Sequence, residues 1–459
     1  MFESKESPPQ ATLWLATQDL VVTPAHSFYE RLDRAFTTIG FADAVRTLCA
    51  PFYEMDATRG GRPGIDPVVY FKMLLIGFFE NLASERAIAA RCADSLAIRA
   101  FLHYTLTEPT PDHSSLTVIR QRLDAPVYQA VFGLVLVALK RHKLLKGKRL
   151  AIDASIVEAN ASLRTLAHRL TGETYQAYIA RLAGAAGVDP QDHAAVRRFD
   201  KKRPGRKTRN QDWQNPHDPE AKVGKTKRGA TRMVYKPDHV VDLDTGAIVD
   251  VEVQPGDAHD TKALADRVLM AETRLQQALA AEPQVASVQM VVLDKGYYKV
   301  EELATVQTSG IKTAIRDPLT RRRIERLTAG HRRAVRAAQR TVTSPTGQAL
   351  MRRRGERAER SFQHVLDCGG GRRTTLRGRT NIEKRYRIQA MGANLSLLMR
   401  HLVGVGTPKQ ALAASRKGLA ALRATLSTLR TRWTRRRAVW MGRIVCSALA
   451  GVYLSPIAT

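Results

Sequence analysis

His239-Val-Val-Asp-Leu-Asp-Thr-Gly-Ala-Ile-Val-Asp-Val-Glu-Val253 reads as two extended runs joined at Asp244-Thr-Gly246. Apolar residues alternate on both sides of the break, the period of a half-buried strand, and glycine suits the tight turn between them. A β-hairpin is therefore predicted. Upstream, Arg149-Leu-Ala-Ile-Asp153 is a short apolar strand that ends on a carboxylate. Downstream, Val288 to Leu293 is a continuous apolar strand closed by Asp294-Lys-Gly-Tyr297. A helix over Lys299–Thr308 and a strand over Lys312–Arg316 follow. Met351–Leu366 is helical again, with Ala358, Phe362, Val365 and Leu366 on one face. The order strand, hairpin, helix, strand, helix, strand, helix predicts an α/β fold around one mixed sheet.

Other textures flank this core. Residues 20–145 are expected to be an all-helical N-terminal domain. Apolar positions recur at helical spacing in Val68–Phe78 and Val127–Leu139, and Gly61-Arg-Pro-Gly64 breaks the pattern. Ser84 and Glu85 open another helix, and Pro111-Asp-His-Ser-Ser-Leu supplies cap residues before one carrying Arg120 and Arg122. Such helices form either a helix-turn-helix DNA reader or a plain bundle. The core is assigned to residues 146–400, interrupted at about 160–230 by a basic insertion with one helix at Thr174–Leu182 and a polar stretch over Lys201–Asn215. Residues 407–459 are expected to be a helical extension. There Leu412, Leu419, Leu422, Leu426, Leu429 and Trp433 repeat at heptad-like spacing, as a core-facing helix or a dimer seam would.

Charge narrows the function. Lys and Arg number 73 against 43 Asp and Glu, a net +30 that suits a polyanionic partner. The excess is concentrated: residues 321–437 hold 30 basic side chains and 5 acidic ones. Cys49, Cys92, Cys368 and Cys446 stand far apart with no Cys-x-x-Cys, so neither a zinc site nor a disulfide framework is expected. The N-terminus lacks a signal-peptide pattern, and the apolar run Ile444–Leu454 is too short to span a bilayer. A cytoplasmic, nucleoid-associated protein without membrane contact is the expectation.

Three acids stand out by position. Asp153 and Asp294 end strands, and Glu359 lies on the later helix. Acids at neighbouring strand ends converge at one sheet edge, and a helix beside them can add a third. Clustered carboxylates repel one another unless a cation joins them, and hard divalent ions prefer oxygen ligands. Two such ions about 4 Å apart can activate water and stabilise the leaving oxygen of a phosphodiester.

The chain resembles the DDE transposases of bacterial insertion sequences. The matching stretches are Ala151-Ile-Asp-Ala-Ser-Ile-Val-Glu-Ala-Asn160, Asp218-Pro-Glu-Ala-Lys222, Tyr235 through Gly246, and Leu293-Asp-Lys-Gly-Tyr297. Further on come Arg352-Arg-Arg-Gly-Glu-Arg-Ala-Glu-Arg-Ser-Phe362 and Leu376-Arg-Gly378. The resemblance runs from about residue 20 to residue 407. It implies an RNase H-like catalytic domain in which Asp153, Asp294 and Glu359 bind Mg²⁺ (or Mn²⁺). Many relatives carry Arg four residues before this Glu and Lys seven after, where this chain has Gly355 and Leu366. Glu356 is therefore the alternative third carboxylate, although Glu359 heads the Glu-Arg-x-Phe pattern.

The resemblance further implies cleavage at element ends and strand transfer to target DNA by at least a homodimer on double-stranded DNA. Arg353, Arg357 and Arg360 are candidates to grip a phosphate near the metals, with Arg352, Arg372, Arg373 and Arg377 holding the backbone. His259 and Asp260 are candidates for support or substrate contact. A regulator without catalysis and a nuclease without joining are the rival readings. Gly224-Lys-Thr226 is no phosphate loop, because Pro219 holds the position of its first glycine.

Overall fold

Seven helices come first: α1 (Pro24–Thr38), α2 (Phe41–Ala57), α3 (Pro67–Phe79), α4 (Glu85–Asp94), α5 (Leu96–Phe101), α6 (His113–Arg122) and α7 (Ala125–Arg141). The computed structural model describes residues 24–57, 64–205, 209–226, 229–259, 263–282, 287–319 and 321–417. Helix starts follow local chemistry. Asp66, Ser84, Ser95 and Asp112 each accept a first-turn backbone N–H, capping α3, α4, α5 and α6. Apolar nearly all round, α3 is buried from Val68 to Phe79 except at Val69, as the centre of a helical group must be.

The chain then enters a sheet with β1 (Arg149–Ala154) and β2 (Val157–Glu158). It leaves for the insertion, where β3 (Ala167–His168) pairs with β4 (Trp213–Gln214) around α8 (Tyr175–Ala185) and α9 (His193–Lys202). It returns through β5 (Lys222–Lys225), β6 (Thr231–Asp242) and β7 (Ile248–Pro255). After these come α10 (Leu264–Ala278), β8 (Met290–Val292), α11 (Val300–Thr308) and β9 (Lys312–Ala314). The last are α12 (Arg321–Glu325), α13 (Ala329–Thr343), α14 (Pro345–Gln363) and α15 (Arg379–Val403).

The five core strands lie in the order β7-β6-β1-β8-β9. β6 is antiparallel to both β7 and β1, while β8 and β9 run parallel to β1. This is the mixed sheet of an RNase H-like core, as expected. The hairpin turn falls where predicted, with Gly246 at φ +84°. β6 begins at Thr231, eight residues before the predicted start, because β5 and β2 extend the ladder along its first half. The insertion holds a second helix, α9, between the predicted helix and the polar stretch, which it overlaps only at Lys201 and Lys202.

Tyr29–Gly406 form one compact unit, and α15 is its spine, packing on α3, α7 and β7. Met1–Phe28 with Thr407–Thr459 form the other unit, of which 24–28 and 407–417 are described. Most of the leucine repeat over 412–433, and all of Ile444–Leu454, lie outside the described residues, as do Gly61–Pro63 and Asp260. Among the described residues, no single helix is long and apolar enough to cross a membrane. Cys49 and Cys92 are buried and Cys368 is exposed.

Candidate active site

The parallel pairing of β1 with β8 sets Ala151 beside Val292. Two residues past that pair on each chain segment stand Asp153, still in β1, and Asp294, just beyond the end of β8. Apolar residues below them fix the edge: Ala151, Leu243, Val292, Ala314 and Leu350 form one buried cluster. Leu350 belongs to α14, which Ser344 caps by accepting the Gly347 N–H. That contact sets the rotational phase of α14.

One helical turn past Leu350, Arg354 extends to both aspartates. Its guanidinium lies 3.4 Å from Asp153 Oδ2 and 3.6 Å from Asp294 Oδ1. Its side chain is only 14% exposed, and its Nε is buried without a hydrogen-bond partner. Two carboxylates thus share one cation, the arrangement that relieves their mutual repulsion. Asp294 is about half exposed, so the pair is open to solvent. Nothing in the sequence singled out Arg354 from the run Arg352-Arg-Arg354. The spacing of four from Leu350 and from buried Ala358 was the available signal.

Glu359 and Glu356 are both exposed on α14. At 3.6 residues per turn, Glu359 stands about 140° around the helix from Arg354 and Glu356 about 160° in the other direction. Glu356 faces away from the sheet and lies 3.8 Å from Arg360. Glu359 is flanked by the buried Ala358 and Phe362. Among the described residues, no three His, Cys, Asp or Glu side chains are grouped to hold a metal ion. The structure therefore joins two of the three expected acids and leaves the third on the flank of the same helix.

The predicted phosphate-gripping arginines diverge. Arg353 lies 3.4 Å from Asp244, and Arg357 donates to the Thr245 carbonyl at 3.4 Å, so both meet the hairpin turn. Arg372 is closed on Asp367. Arg352, Arg360, Arg373 and Arg377 are exposed. Elsewhere the basic tract is partly internal: Lys384 and Arg387 are buried, the former donating to the Arg120 carbonyl. Arg120 itself is buried against Glu85, so it is not available to read bases, while Arg122 stacks over Tyr53. His259 is exposed in the loop after β7.

A polar clamp on the same sheet face holds α14. His239 pairs across the ladder with Asp153, so both side chains point toward the helix. Ser361 gives its hydroxyl proton to the Ala358 carbonyl at 2.7 Å and so accepts from His239 Nδ1 at 2.8 Å. Nε2 is then the acceptor for the Tyr386 hydroxyl, also at 2.8 Å. The Phe362 ring stacks on the imidazole at 4.0 Å. Burial, then the Arg267 charge, push the His239 pKa down to about 3, so the ring is neutral, as these bonds require.

The opposite face carries a buried ionic network. Arg267 of α10 lies 3.1 Å from Asp238 and 2.5 Å from Asp250, and Arg274 lies 2.8 Å from Asp250. It ties α10 to the hairpin directly behind the aspartate-bearing strand.

Residues 19–122 match the family model described as Transposase domain (DUF772), and residues 200–395 match the one described as Transposase DDE domain. Asp294 and Glu359 fall within the second stretch, and Asp153 lies between the two. No curated protein and no solved structure matches the chain.

Proposed function

The chain belongs to the insertion-sequence DDE transposases, and from that premise we propose that it cuts DNA at its element's ends and joins the freed 3′-hydroxyls to target DNA. The observation that supports this most is the convergence of Asp153 and Asp294 on one cation at adjacent ends of parallel strands.

These residues fit a divalent metal. The Arg354 guanidinium stands in for a cation between them, and the donors are all carboxylate oxygens. Mg²⁺ (or Mn²⁺) is typically held by one or two carboxylates together with substrate phosphates. Asp153 and Asp294 would be its protein ligands, with Glu359 as the third carboxylate of the family pattern. When bound, the metal would supply an activated water and charge stabilisation at the leaving oxygen. Arg354 is the counter-charge that such an ion has to displace. His239, Ser361 and Tyr386 position α14, and through it the segment that carries Arg354 and Glu359. Inverted element ends imply at least two copies of the chain on DNA.

The test is a cleavage assay on duplex DNA carrying the sequence that flanks this reading frame, with Mg²⁺ or with EDTA. The expected result is metal-dependent nicking and strand transfer, lost in Asp153→Asn while DNA binding persists. Binding without cutting would point to a regulator, and cutting without joining to a nuclease.

A further inference from the structure

A cleft of about 610 Å³ opens where the insertion meets the main sheet. Three separate segments bring arginines to it: Arg164 at the start of the insertion, Arg232 in β6, and Arg373 with Arg377 in the loop before α15. Glu158, at the end of β2, is the single acid among its lining residues. It lies 3.7 Å from Arg232 and 3.9 Å from Arg373, too far for hydrogen bonds. Four arginines thus line a cleft with one carboxylate, which pairs loosely with two of them.

The walls are fixed by buried polar groups. Buried Asn215 donates to the Ser162 carbonyl and the Thr165 hydroxyl, both at 2.8 Å. Buried Asp218 accepts from the Tyr235 hydroxyl at 2.6 Å and from the Gly378 N–H at 3.3 Å. The Glu158 N–H donates to the Arg372 carbonyl, and the Thr374 N–H to the Glu158 carbonyl, both at 2.9 Å. The motifs Asp218-Pro-Glu and Leu376-Arg-Gly, which the aspartate pair does not use, therefore build this cleft.

We propose that the cleft binds the sugar–phosphate backbone of DNA next to the reaction centre. The proposal rests on the reading of Asp153 and Asp294 as that centre. Exposed guanidiniums with fork geometry suit phosphate oxygens, and four arginines outnumber the apolar Leu163 and Met233 and the His217 ring in the lining, which holds no Phe, Tyr or Trp for bases to stack on. Glu158 follows Asp153 by five residues, a path of at most about 18 Å. Along one DNA strand that is about five nucleotides. The phosphates held here lie within that reach of the scissile one.

The experiment measures binding of the full chain to labelled duplex DNA, taken from the sequence flanking the reading frame, as a function of KCl concentration. Arg164, Arg232 and Arg373 are exposed, so the triple variant R164Q/R232Q/R373Q is expected to fold, with thermal unfolding as the check. Each lost phosphate contact should reduce the slope of log K against log salt by about 0.9, so the triple variant should lose about two to three units. R181Q, which lies outside the cleft and only releases Glu173, should keep the slope. An unchanged slope in the triple variant, with metal-dependent cleavage intact, overturns the cleft and leaves the transposase reading standing. Absence of DNA cleavage in the wild-type chain overturns that reading, and the cleft proposal with it.

Discussion

His239 and Ser361, 122 residues apart in sequence, are joined by a 2.8 Å hydrogen bond in the fully buried floor beneath α14. Since the serine proton is given to Ala358, the imidazole must donate, and one tautomer is fixed. Ser361→Ala leaves that N–H buried and unpaired. The expected loss is about 1–3 kcal/mol of stability, read by denaturant unfolding. Wild-type stability in the variant would mean that the bond does not hold the helix.

The same histidine gives the fold a pH dependence. Its folded pKa, about 3, is below the unfolded value, so the unfolded chain binds the proton more readily. Its contribution is full above the unfolded pKa and is lost as pH falls from about 6.5 towards 3, by up to about 1.4 kcal/mol per pH unit. Asp238, raised to about 6 by burial, acts in the opposite sense below pH 6. The informative quantity is therefore the difference from His239→Gln, whose stability should fall less steeply with acid. Parallel pH curves would count against a buried neutral ring.

A divalent ion bound as proposed would compete with Arg354 for the carboxylates of Asp153 and Asp294. An occupant that blocks the competent state lowers apparent affinity by the fraction it blocks. Arg354→Gln should bind Mn²⁺ at least about tenfold more tightly than wild type, since charge repulsion of this size exceeds about 1.4 kcal/mol. Electron paramagnetic resonance titration without DNA measures this. Weaker binding in the variant would assign Arg354 a supporting role instead.

Glu359 and Glu356 are separable by substitution. With Glu359 as the third carboxylate, Glu359→Gln should abolish cleavage, whereas Glu356→Gln should keep it. Reversal of the two outcomes would transfer the role to Glu356.

Arg267 holds Asp238 and Asp250 in a dry site. Removing one partner from such a network leaves uncompensated charge and typically costs about 3–5 kcal/mol. Arg267→Met should therefore unfold at a clearly lower temperature. A shift within error would mean that the carboxylates find other partners.

The sheet was legible because its strands have plain periodicity: alternation in the hairpin, a continuous apolar run before Asp294, and an aspartate near the end of each of the two strands β1 and β8. The parallel pairing of those strands then left Asp153 and Asp294 both within reach of Arg354. What sequence did not reveal was rotational phase. Three consecutive arginines, Arg352 to Arg354, are equivalent in composition, and only the burial of Leu350 and Ala358 selects the third for the aspartates. The basic tract was misleading in another way, because charge counts do not separate exposed Arg373 from buried Arg387. The clamp of His239 was hidden too, since its partners lie on α14 and α15, far along the chain. Helix α13 escaped notice because its buried stripe is Ala334, Val335 and Ala338, small residues amid arginines.

Exchange of an oxygen ligand for sulfur tests metal binding by the aspartate pair most directly. Thiolate is a soft ligand that Mg²⁺ accepts poorly and Mn²⁺ tolerates better. Asp153→Cys should fail to cut element-end DNA with Mg²⁺ and regain cutting with Mn²⁺, while Asp153→Ala stays inactive with both. Full Mg²⁺ activity in the cysteine variant, or equal Mn²⁺ activity in the alanine variant, would contradict a metal held by this carboxylate.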